Sequence, residues 1–260
     1  MSQLFHLQLA TDTLLTDAAK LGIPCGQLKQ IHIKVSVMLV QHPNPELQLD
    51  YQICLPSTSL ATQLDWPTWQ KEQVSFTDYL WERTCLECFI SGKTIDTDEA
   101  RTGRYIEINV SPSGQYALYK FNDYRTPSTL PPVPLLQADG HTKAHITWAD
   151  NLTISQLDSL NRLSPAPQPP NTSQTLTTLI FTPYYHYRRR FKVSLDQIAV
   201  NLSINDCNDC CDNTSLDLLH PCVILQLRDT HLYFAPAHAS PPDFHQRRYW
   251  SKLDYQAALS

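Results

Sequence analysis

Two runs of alternating apolar and polar residues surround a tight-turn sequence, Ser111-Pro112-Ser113-Gly114. Proline at the second position and glycine at the fourth suit a β-turn that closes a hairpin. The run before the turn, residues 105–110, alternates with a period of two, which is typical of a strand with one face in an apolar core. The run after it, residues 115–121, alternates in the same way. The sequence therefore predicts an antiparallel hairpin.

Strand parity predicts which polar side chains of this region share a face. Successive side chains of a strand point to opposite faces, so Glu107 and Asn109 lie on the face opposite the neighbouring isoleucines. The upstream run, residues 85–90, carries Glu87 in a similar strand pattern. If the three runs are neighbours in one sheet, we expect the two glutamates and Asn109 to converge, with Arg125 as their counter-ion.

Strand patterns also dominate the rest of the chain. The further predicted strands are residues 31–40, 47–55, 144–148, 175–182, 194–202, 222–227 and 231–235. Helical pattern is limited to residues 13–21 and 153–163, and proline-rich loops occupy 126–134, 164–170 and 236–242. Many short strands with stiff turns favour an all-β fold, an antiparallel β-sandwich of two immunoglobulin-like sheets with few short helices. We expect residues 1–260 to form a single domain.

Charge and terminal sequence bear on partners and location. The formal net charge of −5 argues against a nucleic acid or an anionic membrane as partner. The basic run at residues 188–190 is expected to be solvated on a strand edge, where charge discourages edge pairing. The N-terminus lacks a basic region, and Asp12 and Asp17 interrupt any signal-peptide core. No segment is apolar enough over the length of a membrane span, so a cytoplasmic location is predicted.

Three blocks of the sequence carry a resemblance to a known family. They are residues 80–87 (LWERTCLE), residues 105–125 with the pattern Glu-x-Asn-x-Ser-Pro-Ser-Gly, and residues 232–245 (LYFAPAHASPPDFH). In these blocks the chain resembles the bacterial DOMON-like family, whose fold is related to the family-nine carbohydrate-binding modules. It departs from the family pattern at Leu86, where an aromatic residue is usual, and at Phe234, where a tryptophan is usual.

The resemblance implies a module that binds a small ligand, since DOMON-type sandwiches recognise sugars or haem. Together with the residues it favours a non-catalytic module for a sugar or sugar-like metabolite, with a haem-binding module as an alternative. Sugar recognition needs flat aromatic faces together with planar polar groups, and Trp250 is one further aromatic candidate for such a face. The predicted ligand-binding residues are Trp81, Glu87, Tyr105, Glu107, Asn109, Tyr119, Arg125, His238, Asp243 and His245. The competing interpretation is structural, with the aromatic residues in the core and Glu107 and Arg125 as an ion pair.

Two further classes of function stay open. The protein is a hydrolase if Glu87 with Glu107, or His238 with His245, serves as an acid/base set. The third possibility is a scaffold or interaction module that has no ligand. No cofactor is expected. The remaining alternatives are Ca²⁺ at the site and haem bound by His32 and Met38, which share a strand face.

Cysteine spacing raises a metal or redox hypothesis. Cys85 and Cys88 are three residues apart on a predicted strand, so they point to opposite faces and cannot bind one ion. A second group is the better candidate for a tetrahedral zinc site: Cys207, Cys210, Cys211 and Cys222. Residues 204–221 are interpreted as an inserted loop, in which these cysteines are alternatively free thiols.

Overall fold

The structure is a computed structural model that describes residues 1–92, 103–149, 185–202 and 216–259. The strands are β1 (Gln3–Leu9), β2 (His32–Val40), β3 (Glu46–Leu55), β4 (Cys85–Gly92), β5 (Tyr105–Val110), β6 (Tyr116–Phe121), β7 (Thr147–Trp148), β8 (Tyr185–Ser194), β9 (Leu216–Leu227), β10 (Thr230–Ala235) and β11 (Ser251–Lys252). The α-helices are α1 (Leu14–Leu21), α2 (Cys25–Leu28), α3 (Thr58–Ala61), α4 (Leu195–Leu202) and α5 (Tyr255–Ala258), and single turns of 3₁₀-helix occur at Lys71–Gln73, Leu80–Glu82 and Arg247–Tyr249.

The strands form one antiparallel sheet in the order β6-β5-β4-β9-β10-β1-β2-β3-β8-β7, with β11 beside β9. Strand β1 connects the two halves, because Leu7 pairs with Ile33 of β2 while Gln8 pairs with Ala235 of β10. The all-β prediction, with few short helices, is confirmed. The two layers expected of a sandwich are here two halves of one hydrogen-bonded, curled sheet.

Both halves of the sheet supply side chains to one large apolar core. From the half around β2 and β3 come Val35, Val37, Leu47, Leu49 and Ile53, and from the half around β4 and β5 come Leu86, Cys88, Ile106, Ile108 and Val110. The hydroxyl of the fully buried Tyr51 on β3 donates to the backbone oxygen of Glu87 on β4 at 2.6 Å. This hydrogen bond ties the two halves together across the core.

The predicted hairpin is confirmed. Strands β5 and β6 pair from Tyr105↔Phe121 to Val110↔Tyr116. At the turn, the Gly114 N–H donates to the Ser111 oxygen at 3.1 Å. Gly114 has φ 120°, and a Cβ there would lie 3.2 Å from the backbone oxygen of Gln70, so both conformation and space require glycine.

Two sequence predictions on the C-terminal side are wrong. The predicted strand 194–202 is mostly helix α4, in which Ile198 and Leu202 are buried one helical turn apart. The predicted inserted loop ends earlier, since residues from Leu216 onward belong to β9. Pro221 is opposite Cys88 of β4, and on the other side of β9 it lies between the segments that pair with β11 and with β10, so on that side its missing N–H interrupts neither ladder.

Other predicted elements have mixed outcomes. The strands predicted at 31–40, 47–55, 222–227 and 231–235 and the helix near 13–21 are present, and the strand at 144–148 is reduced to two residues. Strand β1 had not been predicted. The predicted strand 175–182, the predicted helix 153–163 and residues 204–215 lie outside the described residues.

The arginine run on β8 is solvated only in part, since the side chains of Arg188 and Arg190 are 40% and 31% exposed and are also ion-paired. Arg188 and Arg190 bind the carboxylate of Asp50 on β3. Arg189 is buried, and its Nε donates to the Pro112 oxygen in the β5–β6 turn at 2.9 Å. The run therefore joins β8 to β3 and to the hairpin turn.

Candidate functional site

The face of β4 and β5 that points away from the large core carries a pocket of about 400 Å³. Strands β4, β5, β9 and β10 form its floor, and the segments 125–132 and 242–245 close over it. The lining residues are Trp81, Glu87, Phe89, Glu107, Phe121, Arg125, Pro127, Ser128, Thr129, Leu130, Pro132, Ile224, Tyr233, Pro242, Asp243, Phe244 and His245. This volume lies in the range of small-molecule sites.

The predicted convergence of polar groups occurs on the floor of this pocket. In the register of β4 and β5, Glu87 pairs with Asn109 and Phe89 pairs with Glu107. The two glutamates are therefore diagonal neighbours on one face, with Cβ atoms roughly 7 Å apart. Asn109 Nδ2 donates to Glu107 Oε1 at 2.7 Å, which orients that carboxyl.

Burial disfavours the ionised form of both glutamates. Glu87 and Glu107 are 3% and 5% exposed. Burial, and then the charge of Glu107, raise the pKa of Glu87 well above its usual range, although the Cys85 thiol and Arg125 act in the opposite direction. Burial raises the pKa of Glu107 to about 7, against the lowering effect of the Asn109 hydrogen bond and of Arg125. Near neutral pH the pair therefore still holds a proton.

A chain of hydrogen bonds fixes the imidazole of His245 beside Glu107. The Arg125 backbone N–H donates to the Tyr105 hydroxyl at 3.1 Å, and that hydroxyl lies 2.7 Å from His245 Nδ1. Because Tyr105 accepts from the backbone, its own proton is best placed on Nδ1. The other ring nitrogen, Nε2, then carries the proton and faces Glu107 Oε2 at 3.8 Å. Burial and the charge of Arg125 lower the pKa of His245 to about 3, so the ring is neutral.

Asp243 organises the rim of the pocket. Its Oδ1 accepts from Arg125 Nη2 at 2.9 Å and from the His245 backbone N–H at 3.1 Å, and its Oδ2 accepts from the Tyr124 hydroxyl at 2.6 Å. Burial raises the pKa of Asp243, but these hydrogen bonds and the Arg125 charge outweigh it, so the net pKa is lowered. Arg125 has φ 46°, a left-handed conformation that is costly for a residue with a Cβ. The rim thus holds a strained residue through an ion pair and backbone contacts.

Aromatic rings form much of the pocket wall. Phe89 lies at the centre, with its ring centroid 4.9 Å from that of His245 and 6.4 Å from that of Phe244. The ring of Tyr233 packs on Phe244 at 6.0 Å from the β10 side. On the other side, the 3₁₀-helix Leu80–Glu82 presents Trp81. Flat apolar surfaces therefore border the two carboxyls.

Six of the ten predicted site residues line the pocket: Trp81, Glu87, Glu107, Arg125, Asp243 and His245. Tyr105 and Asn109 are fully buried behind the lining and position His245 and Glu107. Tyr119 is also fully buried, and its hydroxyl donates to Asp78 at 2.8 Å. Their hydrogen bonds hold these three side chains away from the cavity. Tyr105, Asn109 and Tyr119 had been predicted to contact a ligand, and the structure does not place them in the pocket lining.

His238 and Trp250 also lie off the pocket. His238 Nε2 is 2.7 Å from the backbone oxygen of Gln8, and that contact turns the ring toward β1. A paired acid/base role for His238 and His245 at this pocket is therefore not supported by the placement of the two rings. Trp250 is buried in the layer behind the pocket, where its Nε1 donates to the Phe244 oxygen at 2.8 Å.

Several lining residues were missed from the sequence. Phe89 shares the strand face of Glu87, and Phe121 shares that of Glu107 across the β5–β6 pairing, so parity alone could have found them. Tyr233, Ile224 and Phe244 reach the site through pairing of distant strands and through a loop, for which the sequence holds no local signal.

The metal and haem hypotheses can be placed in the structure. Cys85 and Cys88 are buried on opposite faces of β4, as predicted. Cys222 is a buried free thiol within β9, opposite Glu87 on β4, and not in a loop. Cys207, Cys210 and Cys211 lie outside the described residues, and within the described ones no three His, Cys, Asp or Glu side chains are grouped to hold a metal ion. His32 and Met38 are six residues apart on β2, roughly 20 Å by the rise of a strand, too far to ligate one iron.

Comparisons with known protein families, with curated proteins and with solved structures return no match for this chain. Among the described helices, none combines the length and the apolar character needed to cross a membrane.

Proposed function

We propose that the pocket is a receptor site for a small sugar-like molecule, which it binds without converting it. The observation that carries the proposal is Glu87 on the pocket floor. Its side chain is buried, and its Oε1 has no hydrogen-bond partner among the described residues. A buried carboxyl oxygen without a partner is costly, and a ligand hydroxyl would satisfy it.

The arrangement of the walls supports a ring-shaped polar ligand. A sugar ring offers C–H groups on its faces and hydroxyls around its edge, and the pocket offers the rings of Trp81, Phe89 and Tyr233 beside the carboxyls of Glu87 and Glu107. A few convergent polar groups within a mostly apolar lining are typical of small-molecule sites. Membership of the DOMON-like family, whose modules recognise sugars or haem, is part of the same proposal and rests on the three sequence blocks.

A thermal-shift screen of monosaccharides and amino sugars tests the proposal, with and without Ca²⁺. A ligand that binds only the folded protein raises its melting temperature. We expect at least one sugar to give such a shift, and we expect Trp81→Ala and Glu87→Gln to abolish it. Glu46→Gln is the matched control, because Glu46 pairs with Lys192 on the surface of β3 and β8, away from the pocket. Unchanged shifts in both pocket variants would place the binding site elsewhere.

A hydrolase is the second candidate, favoured by one observation. The pKa of Glu107, raised to about 7, suits a general acid near neutral pH. Glycoside hydrolysis also needs a partner carboxylate that stays ionised, and the pKa of Glu87 is raised as well. Release of the chromophore from aryl glycosides by the wild-type protein, lost in Glu107→Gln and kept in Glu46→Gln, would favour the enzyme over the receptor.

A further inference from the structure

Among the described residues that line the pocket, acidic side chains outnumber basic ones. The lining includes the acids Glu87, Glu107 and Asp243 and a single strong base, Arg125. Arg125 Nη2 is 2.9 Å from Asp243 Oδ1, so this base already has its acid. His245 is neutral near pH 7. Two buried carboxyls on the floor therefore have no matching cation among the lining residues that the structure describes.

Buried acids in folded proteins are usually paired with a base or left protonated. Elsewhere in this chain the rule is met by a base, since Asp50 binds both Arg188 and Arg190. On the pocket floor the space opposite the two carboxyls is the cavity itself. The walls of that cavity include Trp81, Phe89 and Tyr233, and aromatic ring faces attract cations.

We propose that the ligand carries a protonated amine, which binds between the carboxyls of Glu87 and Glu107. This deepens the receptor function proposed above and rests on it. The amine donates to Glu87 Oε1, which lacks a partner in the described structure, and its remaining hydrogens reach Glu107. The rest of the ligand lies against the aromatic walls. An amino sugar has both parts.

Binding of the amine has a proton balance that can be measured. In the free pocket the carboxyl pair holds a proton near neutral pH, because burial raises both pKa values. An ammonium group favours the ionised carboxylates. The carboxyl O–H bond therefore breaks as the ligand binds, the ammonium stays intact, and the proton passes to the buffer. Among the described residues, the titratable groups around the pair are Tyr51, Cys85, Tyr105, Tyr119, Arg125, Cys222, Tyr233, Asp243 and His245.

Isothermal titration with matched ligands at slightly acidic pH tests the inference. Glucosamine, N-acetylglucosamine and glucose share a ring and differ in the amine, and cyclohexylamine with cyclohexanol separates the amine from the sugar. We expect glucosamine to bind about tenfold or more tightly than its two neutral relatives, as a charge-assisted contact implies. Titrations in two buffers of different ionisation enthalpy should show proton release when glucosamine or cyclohexylamine binds, and none with the three neutral compounds.

Variants assign the effect to the carboxyl pair. Glu87→Gln and Glu107→Gln should each reduce the preference for glucosamine over glucose and the release of protons, whereas Glu46→Gln should alter neither. Circular dichroism and the melting temperature of each free variant show whether it is folded. If glucose binds as tightly as glucosamine with no proton release, the amine inference is wrong and the receptor function stands. If none of the five compounds binds, both are overturned.

Discussion

Asp50 and Glu107 are both buried acids on the same sheet, and they differ in the partners that the chain supplies. Arg188 Nε lies 2.8 Å from one carboxylate oxygen of Asp50 and Arg190 Nη2 lies 3.1 Å from the other. Burial raises the pKa of Asp50, but these two arginines outweigh it and the net pKa is lowered. Glu107 has an amide as its nearest donor, and its pKa is raised to about 7. One acid is charged and paired, and the other resists ionisation.

Under the proposed function, this difference separates a structural site from a binding site. Around Asp50, adjacent strands β3 and β8 provide the bases, so the charges stabilise the pairing of those strands. Around Glu107, the groups that face the carboxyl line a cavity. Strongly shifted pKa values in a cleft are characteristic of functional sites. A buried acid without a base is unfavourable in the free protein, and a bound ligand can compensate for it. If the pocket binds a ligand as proposed, stability and binding depend on acids of opposite ionisation within one sheet.

The largest expected effect is a change in how stability depends on pH. An unfolded glutamate loses its proton near pH 4.5, whereas Glu107 in the folded protein keeps it to about pH 7. Between these values the unfolded state binds fewer protons, so the contribution of Glu107 to stability falls as pH rises, by about 3 kcal/mol in total. Urea unfolding of wild type and Glu107→Gln at several pH values measures this as a difference that grows over that window.

The difference between variants is the relevant quantity, because His245 acts in the opposite direction. Its pKa is lowered to about 3, so its contribution to stability rises with pH up to the usual histidine range. Glu46→Gln should keep the wild-type profile. Parallel profiles for wild type and Glu107→Gln would show that Glu107 ionises in the folded protein as easily as in the unfolded chain.

Substitution of Asp50, the acid that is paired with two arginines, should destabilise the protein at neutral pH. Asp50→Asn leaves Arg188 and Arg190 side by side without a carboxylate, and we expect a loss of about 2 kcal/mol at neutral pH. Chemical denaturation followed by tryptophan fluorescence measures it. The pair of Glu46 and Lys192, in which the glutamate side chain is 26% exposed against 8% for Asp50, serves as a control, with less than about 1 kcal/mol expected on Glu46→Gln. If Asp50→Asn leaves the free energy of unfolding unchanged, the proposed contrast between Asp50 and Glu107 is wrong.

A smaller effect is expected from the group that positions His245. Tyr105→Phe removes the hydroxyl that lies between the Arg125 backbone N–H and His245 Nδ1. We expect about 1 kcal/mol of destabilisation, since two buried groups lose their partner. Nitrogen NMR of the imidazole should show a loss of the single tautomer. Tyr124→Phe, which removes an exposed hydroxyl bound to Asp243, should leave the tautomer unchanged.

The smallest effect on stability belongs to Arg125→Gln. The Arg125 side chain is 52% exposed, so solvent screens its ion pair with Asp243 and less than about 1 kcal/mol should be lost. Because Arg125 lowers the pKa of Glu107, the substitution should raise that pKa further. The pH at which the Glu107 contribution disappears should therefore move upward, and an unchanged midpoint would show that the Arg125 charge does not reach the pocket floor.

Local pattern predicted the parts of this site that depend on strand parity. The period of two in β5 predicted that Glu107 and Asn109 share a face, and the turn at Gly114 predicted the pairing of β5 with β6. The convergence of Glu87 with them was predicted on the condition that β4 is a neighbour in the same sheet, which the structure meets. Strand parity shows which side chains share a face of the sheet, but it does not predict which other parts of the chain pack over that face. Tyr119 has the same parity as Phe121, yet its hydroxyl is bound to Asp78 and the ring is sealed from the cavity.

Long-range pairing accounts for most of what the sequence did not predict. Tyr233 reaches the pocket only because β10 pairs with β9 and β9 pairs with β4. Helix α4 was mistaken for a strand because a short apolar run fits both periods until its buried face is known. Residues 216–221 were interpreted as part of an inserted loop, whereas β9 begins at Leu216 and includes Pro221, which is opposite Cys88 of β4.

Strand β1 determines when this protein can complete its structure. The pairing of Gln8 with Ala235 joins residues that are far apart in sequence, while the pairing of Phe5 with Val35 is comparatively local. During synthesis, β1 and β2 can associate early, but the rest of β1 waits until β10 has left the ribosome. Until then it presents an unpaired strand edge, the kind of surface on which newly made chains stick to one another.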